Sequence, residues 1–212
     1  MCSNTAIRRT LAIVALAALA GACAQRPEVI KLYENPAAGR TQYDRLFIVG
    51  VTGDADQRIT LEQLIVDRLR SRGVSAVASY GVLGSGDSVL QETLDKAVAD
   101  SGADALLMSH IASIDTAIER EEGREEIVST CRGGDPVDYF LYDHRVIKVP
   151  DSVRQALTVV VVTNLLDAAS GERIWTIQST CFRKATLEEG LAEEAEAIAR
   201  QLGIDGLVRT AP

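Results

Sequence analysis

Ala156-Leu-Thr-Val-Val-Val-Val-Thr-Asn-Leu-Leu166, the turn cluster Asp167-Ala-Ala-Ser-Gly171 and Glu172-Arg-Ile-Trp-Thr-Ile-Gln-Ser-Thr-Cys-Phe182 follow one another without a break. The first run is dense in β-branched residues, which suit a pleated, packed surface, and it predicts a strand central in its sheet. The turn cluster sends the chain back, so the second run is expected to pair with the first as a hairpin. Trp175, the only tryptophan, falls on the same side of its strand as Ile177. Core packing is the default reading for it, with a binding platform as the alternative.

Upstream, Arg45-Leu-Phe-Ile-Val-Gly-Val51 is a short apolar run of the kind that becomes a buried strand. Val74-Ser-Ala-Val-Ala-Ser-Tyr80 and Ala105 to Ile114 are further strand candidates. Three helices share one start-and-stop pattern. The first has Thr60 with Gln63 as a capping box, Ile59 and Leu64 as a staple, a stripe of Leu61, Leu64, Ile65 and Leu69, and Gly73 as its stop. In the second, Ser88 and Gln91 form the box, Leu90, Leu94, Ala97 and Val98 the stripe, and Gly102 the stop. The third runs from Thr186 and Glu189 through Leu187, Leu191, Ala195, Ile198 and Leu202 to Gly203. Together these elements predict an α/β (α+β) fold, a mixed β-sheet of about five strands with three helices packed on it, in βαβαβ-loop-ββα order.

Residues 119–153 interrupt that order. Glu119 to Glu126 is a charge run, Cys131-Arg-Gly-Gly-Asp-Pro136 follows, and then Tyr139-Phe-Leu-Tyr142. A stretch of this length is too long for a passive connection, so a functional loop, an extra hairpin or partial disorder is expected. Tyr139, Phe140 and Tyr142 need burial somewhere, either against the domain or against a partner.

The chemistry of the chain is sparse. His110 and His144 stand at no ligand spacing, and no Gly-x-Ser-x-Gly elbow is present, so no catalytic residues, metal ligands or cofactor are assigned and an enzyme is not expected. Gly81-Val-Leu-Gly-Ser-Gly86 lies between a strand and a helix but lacks the lysine and spacing of a phosphate loop. Asp54-Ala-Asp56 is too short for a calcium loop. The formal charge of −8 leaves no electrostatic footprint for nucleic acid.

At the N-terminus, Arg8 and Arg9 precede the apolar run Leu11 to Ala20, and Leu19-Ala-Gly-Ala-Cys23 puts small residues before a cysteine. The run is too short to span a bilayer and reads as a removed export signal. The cleavage region resembles the lipobox of bacterial lipoproteins, which implies cleavage before Cys23 and its acylation; an ordinary signal peptidase site at Ala20-Gly-Ala22 is the alternative. Ala24 rather than Asp follows, which by the same resemblance implies the periplasmic side of the outer membrane. The chain then divides into a signal (1–22), a flexible tether (23–41) and one domain (42–212). With Cys2 removed and Cys23 lipidated, Cys131 and Cys181 are the remaining thiols in an oxidising compartment and a candidate disulfide.

Val49-Gly-Val51, Leu69 to Val74, Ala78-Ser-Tyr80, Ser101-Gly-Ala-Asp-Ala-Leu106, Thr163 to Asp167 and Gly171-Glu-Arg-Ile-Trp175 resemble a family of uncharacterised lipoproteins of Gram-negative bacteria. In element order the chain is similar to the α/β domains of the TolB N-terminus and of curli-secretion lipoproteins. That resemblance implies a non-enzymatic interaction role with an unidentified envelope protein in envelope assembly or maintenance. The alternative expectation is a small-ligand-binding or hydrolytic domain with a site near Ser79, Tyr80, the 81–87 loop and the excursion.

Overall fold

The computed structural model of the chain describes residues 26–36, 42–83, 91–131 and 142–209. The strands are β1 (Glu28–Glu34), β2 (Arg45–Val51), β3 (Ser75–Ala78), β4 (Ala105–Glu121), β5 (Arg124–Cys131), β6 (Tyr142–Val149), β7 (Ser152–Asp167) and β8 (Arg173–Lys184). The helices are α1 (Ala55–Ser71), the single turn α2 (Tyr80–Leu83), α3 (Gln91–Ser101) and α4 (Leu187–Ile204). Six strands form one mixed sheet in the order β1-β8-β7-β4-β2-β3, and β5 pairs with β6 in a separate ribbon. The β2–β3 and β2–β4 pairs are parallel, and β4–β7, β7–β8 and β8–β1 are antiparallel. The expected α/β class and mixed sheet hold, with one strand more in the sheet and the ribbon added.

The run at 45–51 is continuous in apolar residues because both faces of β2 are covered. Leu46 and Ile48 join Leu61, Ile65, Leu107, Val161, Leu165, Trp175, Ile177, Leu191 and Ile198 in the main core beneath α1 and α4. Phe47 and Val49 point the other way, into a smaller core with Ala97 and Val98 of α3. Trp175 is core, and its indole N–H donates to Asp205 Oδ2 at 2.7 Å.

Two helix boundaries differ from the sequence pattern. The start of α1 is capped by Asp54, whose Oδ1 accepts from the Gln57 backbone N–H at 2.9 Å, and Thr60 lies inside the helix. The first turn is polar and its buried Arg58 is compensated by Glu62, so the apolar stripe begins after the helix does. α4 starts where expected, with Thr186 Oγ1 accepting from the Glu189 N–H at 3.1 Å. It runs past Gly203, and the left-handed residue that ends it is Gly206. Gly73 and Gly102 take the left-handed conformation as expected after α1 and α3. Ser88 lies outside the described residues.

Residues 28–34, expected within the flexible tether, instead form the edge strand β1 against β8. Most of its side chains are exposed and a register shift between Lys31 and Tyr33 breaks the alternation, so backbone pairing rather than an apolar face makes this strand. Cys23 lies outside the described residues.

Candidate functional site

The 119–153 excursion is an extension of the sheet. β7 pairs with β8 as far as Leu157 and Lys184. Beyond that level β4 and β7 continue as a two-stranded arm, Ala117 to Glu121 opposite Ala156 to Ser152. β5 and β6 then carry the hairpin on, from Arg124 opposite Val149 to Cys131 opposite Tyr142. Of the three expectations for this region, the described residues form the extra hairpin. The joint between its halves is tight: a Cβ on Gly123 would meet Val149 O at 2.6 Å, and the Gly123 N–H donates to Asp151 Oδ1 at 2.7 Å.

One face of the arm continues the core side of the sheet, and no described helix covers it. Residues 114, 116, 118 and 120 share that face with 153, 155, 157 and 159. Val159 is buried, but Ile118 is 78% exposed and Val153 62% exposed, with Ile114 exposed beside them. At the foot of the arm Glu119, Arg120, Arg154 and Arg183 line a hollow of about 460 Å³. Arg183 adopts φ 60, a conformation uncommon for a side-chain-bearing residue, and its Nη2 reaches Glu119 Oε2 at 2.7 Å. By register Ile118, Arg120 and Val153 share one face of the arm, and Glu119 and Arg154 stand on the other.

A larger cavity of about 650 Å³ lies at the other end of the sheet, lined by α3, Gln42 and Tyr43 ahead of β2, the start of β4 and the β7–β8 turn. Leu94, Val98, Leu106, Met108 and Leu166 supply apolar walls; Asp95, Asp104 and Asp167 supply carboxylates; no Lys, Arg or His occurs among its described lining residues. Asp104 is fixed by accepting from the backbone N–H groups of Asp44 at 2.7 Å and Arg45 at 3.0 Å. Asp167 Oδ1 accepts from the Ser170 and Ala169 N–H groups and the Ser170 hydroxyl. The Ser170 backbone hydrogen bond leads in holding this carboxyl below the usual carboxylate range. Tyr43 donates to Asp167 Oδ2 at 3.3 Å; burial, then the Asp167 charge, pushes its hydroxyl up to about 12, so it stays protonated.

Two buried polar clusters serve the fold. Glu62 accepts from the Gly50 N–H at 2.9 Å, Arg58 Nε at 3.1 Å, the Ser79 hydroxyl at 2.6 Å and the Tyr80 N–H at 2.9 Å. Ser79 is thereby fully buried and committed to α1, and the Tyr80 hydroxyl donates to Gln63. Of the alternative site near 79–87, residues 84–87 lie outside the described residues. The second cluster lies under α4. Cys181, expected as the partner of Cys131, is a buried free thiol that donates to Glu193 Oε2 at 3.3 Å. Burial, then that bond, pushes it up to about 12, so it is held as the unreactive thiol. The pairing is not made because Cys181 faces α4 from within the sheet, whereas Cys131 stands in the separate ribbon on β5. Burial lowers Lys184, but its contact with Glu193 and the surrounding negative charge outweigh that and leave its ammonium above the usual value.

Tyr139 and Phe140 lie outside the described residues, and Tyr142 is placed by its backbone at the start of β6. Among the described residues no group of three or more His, Cys, Asp or Glu is arranged to hold a metal ion. No described helix is long and apolar enough to cross a membrane. The cavity escaped sequence reading because its carboxylates come from positions 95, 104 and 167, on three different elements.

The architecture is a mixed sheet with α1 and α4 on one face and α3 on the other. No protein-family model and no curated protein sequence matches the chain. Among solved structures, the chain is similar to the PelC dodecamer from Paraburkholderia phytofirmans, at 18% identity and TM-score 0.44, over 86% of this chain and 99% of that one. It is also similar to lipoprotein GNA1162 from Neisseria meningitidis, at 12% identity and TM-score 0.40, over 76% and 98% of the respective chains. Overlap at these scores defines neither a family nor a function.

Proposed function

We propose that this chain is a lipid-anchored envelope protein on the periplasmic side of the outer membrane, acylated at Cys23, that acts without catalysis as a docking module for another envelope protein. The export signal and the Leu19-Ala-Gly-Ala-Cys23 sequence support the anchoring. The observation that carries the docking role is the arm, where Ile118 and Val153 stand on one face of a two-stranded ribbon outside the packed sheet. Large apolar side chains grouped on a projecting element mark interaction surfaces. The guanidinium of Arg120, on the same face by register, suits a partner whose apolar patch carries a carboxylate.

A photoactivatable side chain at Ile118 in the native envelope tests this. The expected result is one discrete adduct, absent when the same group is placed at Glu92 on α3. Adding Val153→Asp should remove the adduct while leaving thermal unfolding unchanged, because that side chain lies outside the core. Adducts at both positions, or at neither, would refute the docking surface. Separately, Cys23→Ser should move the protein from the membrane to the soluble fraction.

A further inference from the structure

We infer that the cavity between α3, the start of β4 and the β7–β8 turn binds a small organic cation with an apolar body. Its volume, about 650 Å³, lies within the range of small-molecule sites and is matched to a ligand rather than to one water or ion. Leu94, Leu106, Met108 and Leu166 are only partly buried and offer hydrocarbon surface that a ligand would cover.

The charge of the lining sets the sign of the ligand. Asp95, Asp104 and Asp167 are its only charged described residues, within a chain of net charge −8. The groups that hold Asp104 and Asp167 are backbone N–H donors and hydroxyls, which orient the carboxylates without cancelling their charge. Two of the three carboxylates are thus fixed in place before any ligand arrives, which lowers the ordering cost of binding. An anion would meet three carboxylates and no cation among the described lining residues. A bare metal ion would leave the apolar walls uncovered. An ammonium or guanidinium group on a hydrocarbon or aromatic body satisfies both halves of the lining.

Calorimetry on the full chain with three probes of one shape decides the matter: 4-phenylbutylammonium, 4-phenylbutanol and 4-phenylbutyrate. The cation should bind saturably, with Kd below about 1 mM, and the carboxylate at least about tenfold more weakly, the alcohol falling between. Asp95→Lys on the exposed side of α3 should weaken the cation about tenfold. Glu92→Lys, the same charge change on the same helix but outside the cavity lining, should leave its affinity within about twofold. Ala99→Trp, which places bulk in the lining, should abolish binding of both cation and alcohol. If Asp95→Lys proves unstable on thermal unfolding, Asp95→Asn makes the same comparison with a smaller expected loss. Equal binding of cation and carboxylate, equal weakening by the two lysine variants, or no saturable binding of the cation would each overturn the assignment.

Discussion

Glu194 is fully buried where α4 meets the sheet, and no group completes a hydrogen bond to either of its oxygens. Burial raises its carboxyl from the ordinary 4.5 to about 7; the nearby Ser179 hydroxyl and Cys181 backbone amide pull it down and the Glu193 charge pushes it further up. Below pH 4.5 the group is protonated in folded and unfolded chain alike and has no effect on stability. As pH rises towards 7 the unfolded chain loses a proton that the folded chain keeps, so stability falls. Above that the full penalty, about 3 kcal/mol, is in place. Glu194→Gln should therefore match the parent near pH 4 and exceed it by about 1–3 kcal/mol at pH 8 in chemical denaturation. A parent whose stability is flat between those pH values would mean that the carboxylate has found a partner. The neighbouring Cys181 shows what elimination among cysteines misses: counting thiols pairs it with Cys131, whereas burial and Glu193 give it a place of its own.

α4 lies unusually close to β7 at one point. A Cβ built on Gly190 would stand 2.9 Å from Val159 Cγ2, so the helix contacts the sheet through a residue with no side chain. Gly190→Ala should destabilise the domain by about 1–3 kcal/mol despite the better helix propensity of alanine, and Val159→Ala in the same chain should recover part of the loss. Denaturant midpoints of the two variants check this. The elements legible in the sequence are those whose signal is local. Arg45–Val51 is apolar because it is covered on both faces, and Thr186 caps α4 through its own neighbours. The Asp54 start of α1 is masked by a polar turn whose Arg58 is neutralised by Glu62, and β1 depends on a partner more than a hundred residues away. The limits of β4 and β7 were blurred for the same reason, since their outer thirds hold each other and little else.

At the scale of the whole molecule, the hairpin from β4 to β7 runs from one end of the sheet to the other and then beyond it. Glu121 stands opposite Ser152, so a short Gly/Ser connector can replace residues 122–150 without opening the sheet. That variant should unfold cooperatively, with a melting temperature within about 3 °C of the parent, and should lose the Ile118 adduct if the outer ribbon completes the docking surface. A marked fall in melting temperature would show instead that the ribbon supports the domain. The excursion stood out in the sequence as the region without a period, because a projecting ribbon has no core face to impose one. The acidic cavity could not stand out, since folding alone brings its walls together.

The pairing of β1 with β8 also sets a reach. Four residues, Ala24 to Pro27, separate the proposed acyl anchor Cys23 from Glu28, and the five steps between them span at most about 18 Å, against about 65 Å for the whole of 23–41 fully extended. Glu28 is level with Thr180, Val160 and Ser113, at the end of the sheet from which the arm departs, and Glu34 is level with Trp175, Leu165 and Leu107, towards the cavity end. With so short a leash the domain is hung by one fixed end. On the proposed anchoring at Cys23, the end of the sheet that bears the arm would lie next to the bilayer and the end that bears the cavity would lie farther from it.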